Sequence, residues 1–332
     1  MIIVTGATGF IGSNLLAELE ARGYTEIVGI DSFGTGNKWM NVANRSHVRF
    51  IMPENTFTFL GENADRIKAV IHLGAISTTT EHDVDLIFKN NVEFTIKLYD
   101  FCKKHGTPLI YASSAATYGH QMAGVLCEDN ESLEHLQKLW PLNPYGWSKL
   151  FMDKFISIDR ASGTPSHQVV GLRFFNVYGP HEYHKGAQAS VILHFYRQML
   201  EEGTIKVFKT ASEDYPKGAA RDFVFVEDCV DVMVWMMEHP DVSGLFNVGT
   251  GTAVTYEEIA ENVSRCMNRE TNIRYIPMPE GLPLQYQFFT QARLDKLRSV
   301  GYTKAMTGIQ EGIAKYYPYL DHLSKHNLFK YK

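Results

Sequence analysis

The segment Gly6-Ala7-Thr8-Gly9-Phe10-Ile11-Gly12 follows a short apolar run, Met1 to Thr5, and leads into a stretch with helical periodicity. Few folds accommodate that order of strand, glycine turn and helix. Gly6 permits the tight turn, Gly9 lets the backbone approach a pyrophosphate, and Gly12 lets the helix pack close to the strand. Amides at the helix N-terminus then face the phosphates. A glycine triplet alone reads as an ordinary turn, whereas strand, turn and helix together predict a dinucleotide site.

The rest of the first half keeps the βαβ rhythm of short apolar runs alternating with amphipathic helix-length segments. Further strands are predicted at Glu26 to Asp31, Val48 to Met52, Ala69 to Gly74, Leu109 to Ser114 and Val169 to Phe174. Helices are expected over Ser13 to Arg22, near Asp85 to His105 and over Tyr145 to Asp159. Continuous apolar strands need both faces covered. The predicted class is therefore α/β, a Rossmann-like doubly wound parallel sheet with a smaller mixed α/β substrate lobe. The 332 residues allow about two domains. The expected division is a dinucleotide-binding domain over 1–175, with returns near 222–250 and 286–295, and a discontinuous substrate-binding lobe over 176–332. Asp222 to Val226 and Leu245 to Gly249 are the strands expected to return.

Lys and Arg total 32 against 37 Asp and Glu, a net charge of −5. That balance argues against nucleic acid or an anionic membrane as the main partner. No apolar stretch reaches the roughly 18 residues of a spanning helix, and no basic leader precedes the first strand. Cys102, Cys127, Cys229 and Cys266 lack metal-ligand spacing and suit reduced core thiols, so a cytoplasmic protein is expected. His181 and His184 have H-x-x-H spacing, but Pro180 and Gly186 around them suggest a loop, and no metal is expected.

Asp31 closes the second strand ~20 residues after the glycine turn, where a carboxylate accepts from adenosine ribose hydroxyls, as in NAD. Lys38, in a Gly-rich loop, can instead pair with a 2′-phosphate; the residues leave both cofactors open. Tyr145 and Lys149 are i and i+4 on one helix face, with Ser113 and Ser114 ending a strand upstream. An adjacent ammonium and a positive nicotinamide favour the phenolate of a proton-transferring tyrosine. Ser114 can hydrogen-bond the reacting oxygen, and Lys149 the nicotinamide ribose. Arg221 can take a diphosphate in bidentate fashion.

These motifs carry a resemblance. Gly6-x-x-Gly9-x-x-Gly12, Asn90-Asn91, Ser113 to Gly119 and Tyr145-x-x-x-Lys149 resemble the extended short-chain dehydrogenase/reductase superfamily. Ser77 to Glu81, Phe174 to Pro180, His184-Lys185-Gly186 with Ala189-Ser190, and Tyr286-Gln287 with Phe289 to Ala292 are similar to the ADP-L-glycero-D-manno-heptose 6-epimerases within it. The likeness covers nearly the whole chain. It implies NADP in preference to NAD, and transient oxidation of the heptose at C6 with return of hydride to the opposite face. It implies acid/base roles for Tyr145 and Lys185, assisted by Lys149 and Ser114. Besides Gly6, Gly9 and Gly12, the implied cofactor contacts are Phe10, Ile11, Asp31, Ser32, Lys38, Leu73, Gly74, Ala75, Ile76, Ser77 and Asn90, with Tyr145, Lys149, Val177 and Lys185. Substrate contacts fall on Ser114, Asn176, Val177, Ala187, His194, Phe208, Arg221 and Tyr286.

The resemblance further implies an ADP-heptose substrate, a place in lipopolysaccharide core synthesis and a homo-oligomer, pentameric in the family. Two departures stand out: no Asp follows the third strand near the adenine, and Ala211 to Ala220 is longer than expected. The alternatives are a UDP-hexose 4-epimerase, which needs no second base, and a 4,6-dehydratase, whose acid pair is missing from Ser114-Ala115-Ala116-Thr117. A nonenzymatic dinucleotide sensor would not need the intact Ser114, Tyr145 and Lys149.

Overall fold

The computed structural model describes residues 1–163, 167–326 and 328; the end of the expected second lobe, 329–332, lies outside the described residues. β1 (Ile2–Thr5) runs through the glycine turn into α1 (Phe10–Ala21). Then come β2 (Ile27–Ile30), β3 (Val48–Ile51), α2 (Thr56–Glu62), β4 (Ala69–His72), α3 (Val84–Ile87), α4 (Phe94–His105) and β5 (Leu109–Ser114). They are followed by α5 (Leu133–Lys138), α6 (Pro144–Ala161), β6 (Val169–Phe174), β7 (Asn176–Tyr178), α7 (Val191–Glu201), β8 (Ile205–Phe208), β9 (Ala220–Phe225) and α8 (Val226–Glu238). The chain ends with β10 (Gly244–Val248), β11 (Ala253–Thr255), α9 (Tyr256–Cys266), β12 (Ile273–Ile276), β13 (Phe289–Thr290), α10 (Asp295–Ser299) and α11 (Ile309–Lys325).

Among the described residues, seven strands form one parallel sheet in the order β10-β6-β5-β4-β1-β2-β3. Strand order reverses between β1 and β4, so the crevice outside their carboxyl ends is where such a sheet binds ligands. Alternation along β1 shows why the strands are apolar throughout. Ile2 and Val4 pack with Leu15, Leu16 and Leu19 of α1 and with Met233 of α8, while Ile3 packs with Tyr99 and Met152 on the other face.

At the turn, Gly6 has φ +67°, and a Cβ on Gly12 would lie 2.1 Å from the Gly6 carbonyl oxygen. Only glycine fits either position.

Two local expectations change. The helix expected over Asp85 to His105 is interrupted by a π-type turn at Phe88–Glu93 between α3 and α4. Such bulges favour functional positions, and this one turns the Asn91 side chain inward. There its amide accepts from Ile76 N (2.8 Å) and donates to Ile76 O (3.0 Å) and Ser148 Oγ (3.1 Å). Leu245 to Gly249 does return to the large sheet as β10, whereas Asp222 to Val226 does not. β10 occupies the edge of β6, so β9 pairs instead with β7, β11 and β13 in a separate mixed sheet. The 286–295 segment divides likewise: Phe289 and Thr290 join that sheet, and Ala292 bridges to Cys127. β8 and β12 form a further parallel pair.

Candidate active site

A cavity of about 670 Å³ lies at the reversal point, within the range of cofactor and substrate sites. Its lining includes Gly6, Gly9, Phe10, Ile11, Gly12, Asp31, Lys38, Leu73, Gly74, Ala75 and Ser77, the turn and strand ends expected to meet a dinucleotide. α1 starts without a side-chain cap, which leaves its first amides free for an anion. A Cβ on Gly74 would lie 3.1 Å from Gly6 N, so the β1 and β4 turns meet backbone to backbone and leave a groove floor without side chains. These features fit a nicotinamide dinucleotide.

At the adenosine end the Asp31 carboxylate accepts from Thr8 N (2.9 Å), Thr8 Oγ1 (2.7 Å), Ser32 N (2.8 Å) and Lys38 Nζ (2.7 Å). Ser32 is exposed and outside the lining, and its carbonyl accepts from Lys38 at 2.9 Å. Ile76 is held through its backbone by Asn91. Asn90, the expected contact, is exposed and donates to Leu86 O at 2.8 Å. The π-type turn buries the second asparagine of the pair against Ile76 and Ser148 and leaves the first on the surface.

Asn143 caps α6, accepting from Gly146 N at 2.8 Å with Pro144 in the first turn. A Cβ on Gly146 would meet Ala116 O at 2.7 Å, so the start of α6 presses against the chain just beyond β5. That contact sets Tyr145 beside Ser114. Burial pushes the Tyr145 phenol up, and Ser114 opposes the rise. Lys149 is buried, donates to Ala112 O at 2.8 Å and lies 5.9 Å from the Tyr145 ring centre. Burial lowers it to about 8, with Asp153 opposing. Desolvation is the largest influence on the phenol, and the Lys149 ammonium is directed at the Ala112 carbonyl.

The loop after β7 brings Lys185 in. It is stitched to the cofactor side: Asn14 donates to Pro180 O (2.9 Å), Ser13 Oγ pairs with His181 Nδ1 (3.0 Å), and Asn41 Nδ2 meets His181 O (3.3 Å) and His184 Nδ1 (3.2 Å). Tyr183 donates to Asn37 O at 3.2 Å. Lys185 Nζ sits 5.6 Å from the Phe10 ring centre. Burial lowers its proton affinity and Glu182 opposes that. His181 and His184 thus have separate partners, and no cluster among the described residues could hold a metal ion.

On the far side, Asn176, Val177, His194 and Arg221 line the cavity. Arg221 donates through Nε to Gln287 O at 2.8 Å and stacks on the Tyr286 ring, 4.3 Å from its centre. Tyr286 therefore lies behind Arg221 and is outside the lining. Phe208, at the end of β8, and the exposed Ala187 are also outside it. The long Ala211 to Ala220 segment turns away: Tyr215 stacks on Phe288 at 5.0 Å and donates to Gln121 O at 3.0 Å. Sequence reading missed Thr78, Gln188, Phe223 and Tyr256, which all line the cavity. Thr78 falls within the Ser77 to Glu81 motif, whereas Gln188, Phe223 and Tyr256 sit in none, and packing of distant segments brings those three there.

One titration is set by burial beneath the site. His72 is 2% exposed, between Thr5 Oγ1 (2.6 Å) and Thr95 Oγ1 (2.9 Å), and burial together with Lys149 pushes it down to about 3. The unfolded chain takes up this proton below about pH 6.5 and the folded one does not. Its stabilisation is therefore complete above that pH and falls toward pH 3, by up to about 1.4 kcal/mol per unit. Buried Glu182 and Asp222, raised by desolvation, act with the opposite sign. The His72 contribution is thus the difference in denaturation between the wild type and His72→Gln from pH 7.5 to 5. Parallel curves would refute it.

Residues 2–249 match the NAD dependent epimerase/dehydratase family. The chain is 43% identical over 325 residues to an ADP-L-glycero-D-manno-heptose-6-epimerase of Fusobacterium nucleatum, covering 95% of this chain and 96% of that protein. The crystal structure of the Helicobacter pylori ADP-L-glycero-D-manno-heptose-6-epimerase is similar with a TM-score of 0.78 at 28% identity, covering 96% of each chain. Thermus thermophilus UDP-glucose 4-epimerase, solved with NAD, is similar with a TM-score of 0.76 at 26% identity, covering 97% of this chain and 98% of that one.

Proposed function

We propose, from the premise that this chain belongs to the NAD dependent epimerase/dehydratase family and within it to the ADP-L-glycero-D-manno-heptose 6-epimerases, a chemistry for its cavity: inversion at C6 of ADP-D-glycero-D-manno-heptose. One observation carries this reading. Tyr145 with Ser114, and Lys185 on a separate loop, line one cavity together with the glycine turn. Inversion of a carbinol carbon by two fixed groups, one on each side, needs a proton-transfer group for each face, and Lys185 is what a one-base epimerase would lack.

A nicotinamide dinucleotide held by the glycine turn would supply a reversible hydride acceptor and, when oxidised, a positive ring charge that favours a phenolate. Tyr145 takes or gives the proton at the C6 oxygen on one face, with Ser114 orienting that oxygen. Lys185, poised by burial, does the same for the opposite face. Lys149 donates to Ala112 O and would hold the ribose hydroxyls of the dinucleotide. Arg221, flattened on Tyr286, offers its guanidinium edge to the diphosphate, and this anchors the nucleotide while the heptose end turns over.

The reading includes NADP in preference to NAD, supported by Lys38 beside Asp31, which offsets the carboxylate where a 2′-phosphate would sit. It also includes a cytoplasmic homo-oligomer serving lipopolysaccharide core synthesis; among the described residues no helix is long and apolar enough to cross a membrane. Incubation with ADP-D-glycero-D-manno-heptose, followed by NMR at C6, should give a mixture of epimers. No inversion, alongside interconversion of UDP-glucose and UDP-galactose, would overturn the assignment. Lys38→Ala should weaken NADP binding by about 10-fold or more, the scale of a charge-assisted contact, with little effect on NAD. An unchanged preference removes Lys38 from the phosphate site.

A further inference from the structure

Glu182 is 1% exposed and has no part in the chemistry above. Its carboxylate accepts from Gly179 N (3.2 Å), from Ser190 N and from Ser190 Oγ (2.7 Å). Gly179 follows β7 and Ser190 precedes α7, so a single buried side chain joins the two ends of the loop that carries Lys185. The β7 end is itself closely packed: Gly179 has φ +142°, and a Cβ there would lie 2.6 Å from Val226 Cγ1. Within the loop, Lys185 N donates to Glu182 O at 3.0 Å, which places Lys185 one turn beyond the clamp. Tyr316 of α11 lies beside the same carboxylate, which is shielded from water. A buried carboxylate with this many donors is costly to leave unpaired, so the loop ends hold together as a unit.

We propose that Glu182 is a positioning residue for the acid/base at Lys185: its buried carboxylate locks both ends of the loop and holds the ammonium at the Phe10 edge of the cavity. The idea rests on the role of Lys185 given above. The groups that face Lys185 are Glu182 and His184 on its own loop. Tyr145 and Lys149 of α6, His194 of α7, Arg221 of β9, Tyr256 of α9, Asp31 after β2, and Lys38 share its cavity. Of these, only Glu182 adds a negative charge that opposes the effect of burial on Lys185.

The test compares Glu182→Gln and Ser190→Ala with the wild type in C6 epimerisation over a range of pH. Glutamine keeps the shape but turns an NH₂ toward a donor and removes the charge. Its kcat should fall by about 10- to 100-fold, as for a misplaced catalytic group, with KM changed by less than about 3-fold. The limb of the pH profile set by Lys185 should also move to lower pH, because an ammonium without its neighbouring carboxylate loses its proton more readily. Ser190→Ala removes one anchor and keeps the charge, so kcat should fall several-fold with that limb unmoved. Wild-type kcat with an unshifted profile in Glu182→Gln overturns the proposal. So does a loss of kcat that comes with equal loss of bound cofactor and no shift, since that is a folding defect. Should Glu182→Gln fail to fold, an unaltered kcat in Ser190→Ala overturns it. Failure of the wild type to invert C6, or full activity of Lys185→Met, would instead defeat the reading of the site itself.

Discussion

Tyr145→Phe and Lys185→Met each abolish measurable epimerisation, a loss of about 10²- to 10⁴-fold expected for removing one general acid/base. Phenylalanine retains the ring against α6 and removes the one hydroxyl that faces Ser114. Methionine retains most of the Lys185 stem and removes the ammonium from above Phe10. Neither change touches the Asn143 cap or the stitches from Ser13, Asn14 and Asn41 to the loop. Melting temperature and bound nicotinamide content should therefore stay near wild type while turnover is lost. The two single variants should be about equally poor, because inversion passes through both faces; an active Lys185→Met would reduce the site to a one-base mechanism.

Asp153→Ala destabilises the protein by about 3–5 kcal/mol, the cost of leaving a buried charge without its partner. Asp153 and Arg173 are both 0% exposed and pair at 2.9 Å. Ser113 Oγ (2.9 Å) and Tyr111 OH (3.1 Å) donate to the same carboxylate, and the Arg173 guanidinium lies 4.8 Å from the Tyr118 ring centre. The pair joins α6 to β5 and β6 directly behind the catalytic residues, one helical turn beyond Lys149. Replacing both partners by apolar residues of similar size, Asp153→Leu with Arg173→Met, should recover most of the loss, since no charge is then stranded. Urea denaturation of the three variants measures this. A cost below about 1 kcal/mol for Asp153→Ala would show that water or a shifted side chain compensates Arg173.

Legibility differed by the range of the interaction that decides each feature. The glycine turn was readable because its requirements are local: positive φ at Gly6 and backbone contact at Gly12 act within a few residues. The parallel sheet followed from runs such as Ile2 to Thr5, whose side chains are buried on both faces. Tyr145, Lys149 and Ser114 were found because a helix repeat and a strand end put them in fixed relation. The choice between Asn90 and Asn91 was not readable, since a π-type turn moves every later side chain around the helix axis, and apolar periodicity does not resolve one residue of rotation.

By itself, then, the sequence determined the class of fold, the dinucleotide turn and the helix-borne pair, all of which depend on propensity and spacing over a few turns of chain. Tertiary structure alone decided that β9 leaves the large sheet, that Tyr286 stacks behind Arg221, and that Gln188 and Tyr256 face the cavity. It also decided that Glu182 closes the Lys185 loop and that Lys149 points to Ala112 O and not at the phenol. These follow from which sheet edge is already occupied and which buried polar group has a partner. Such conditions are met between segments far apart in the chain, and no local pattern encodes them.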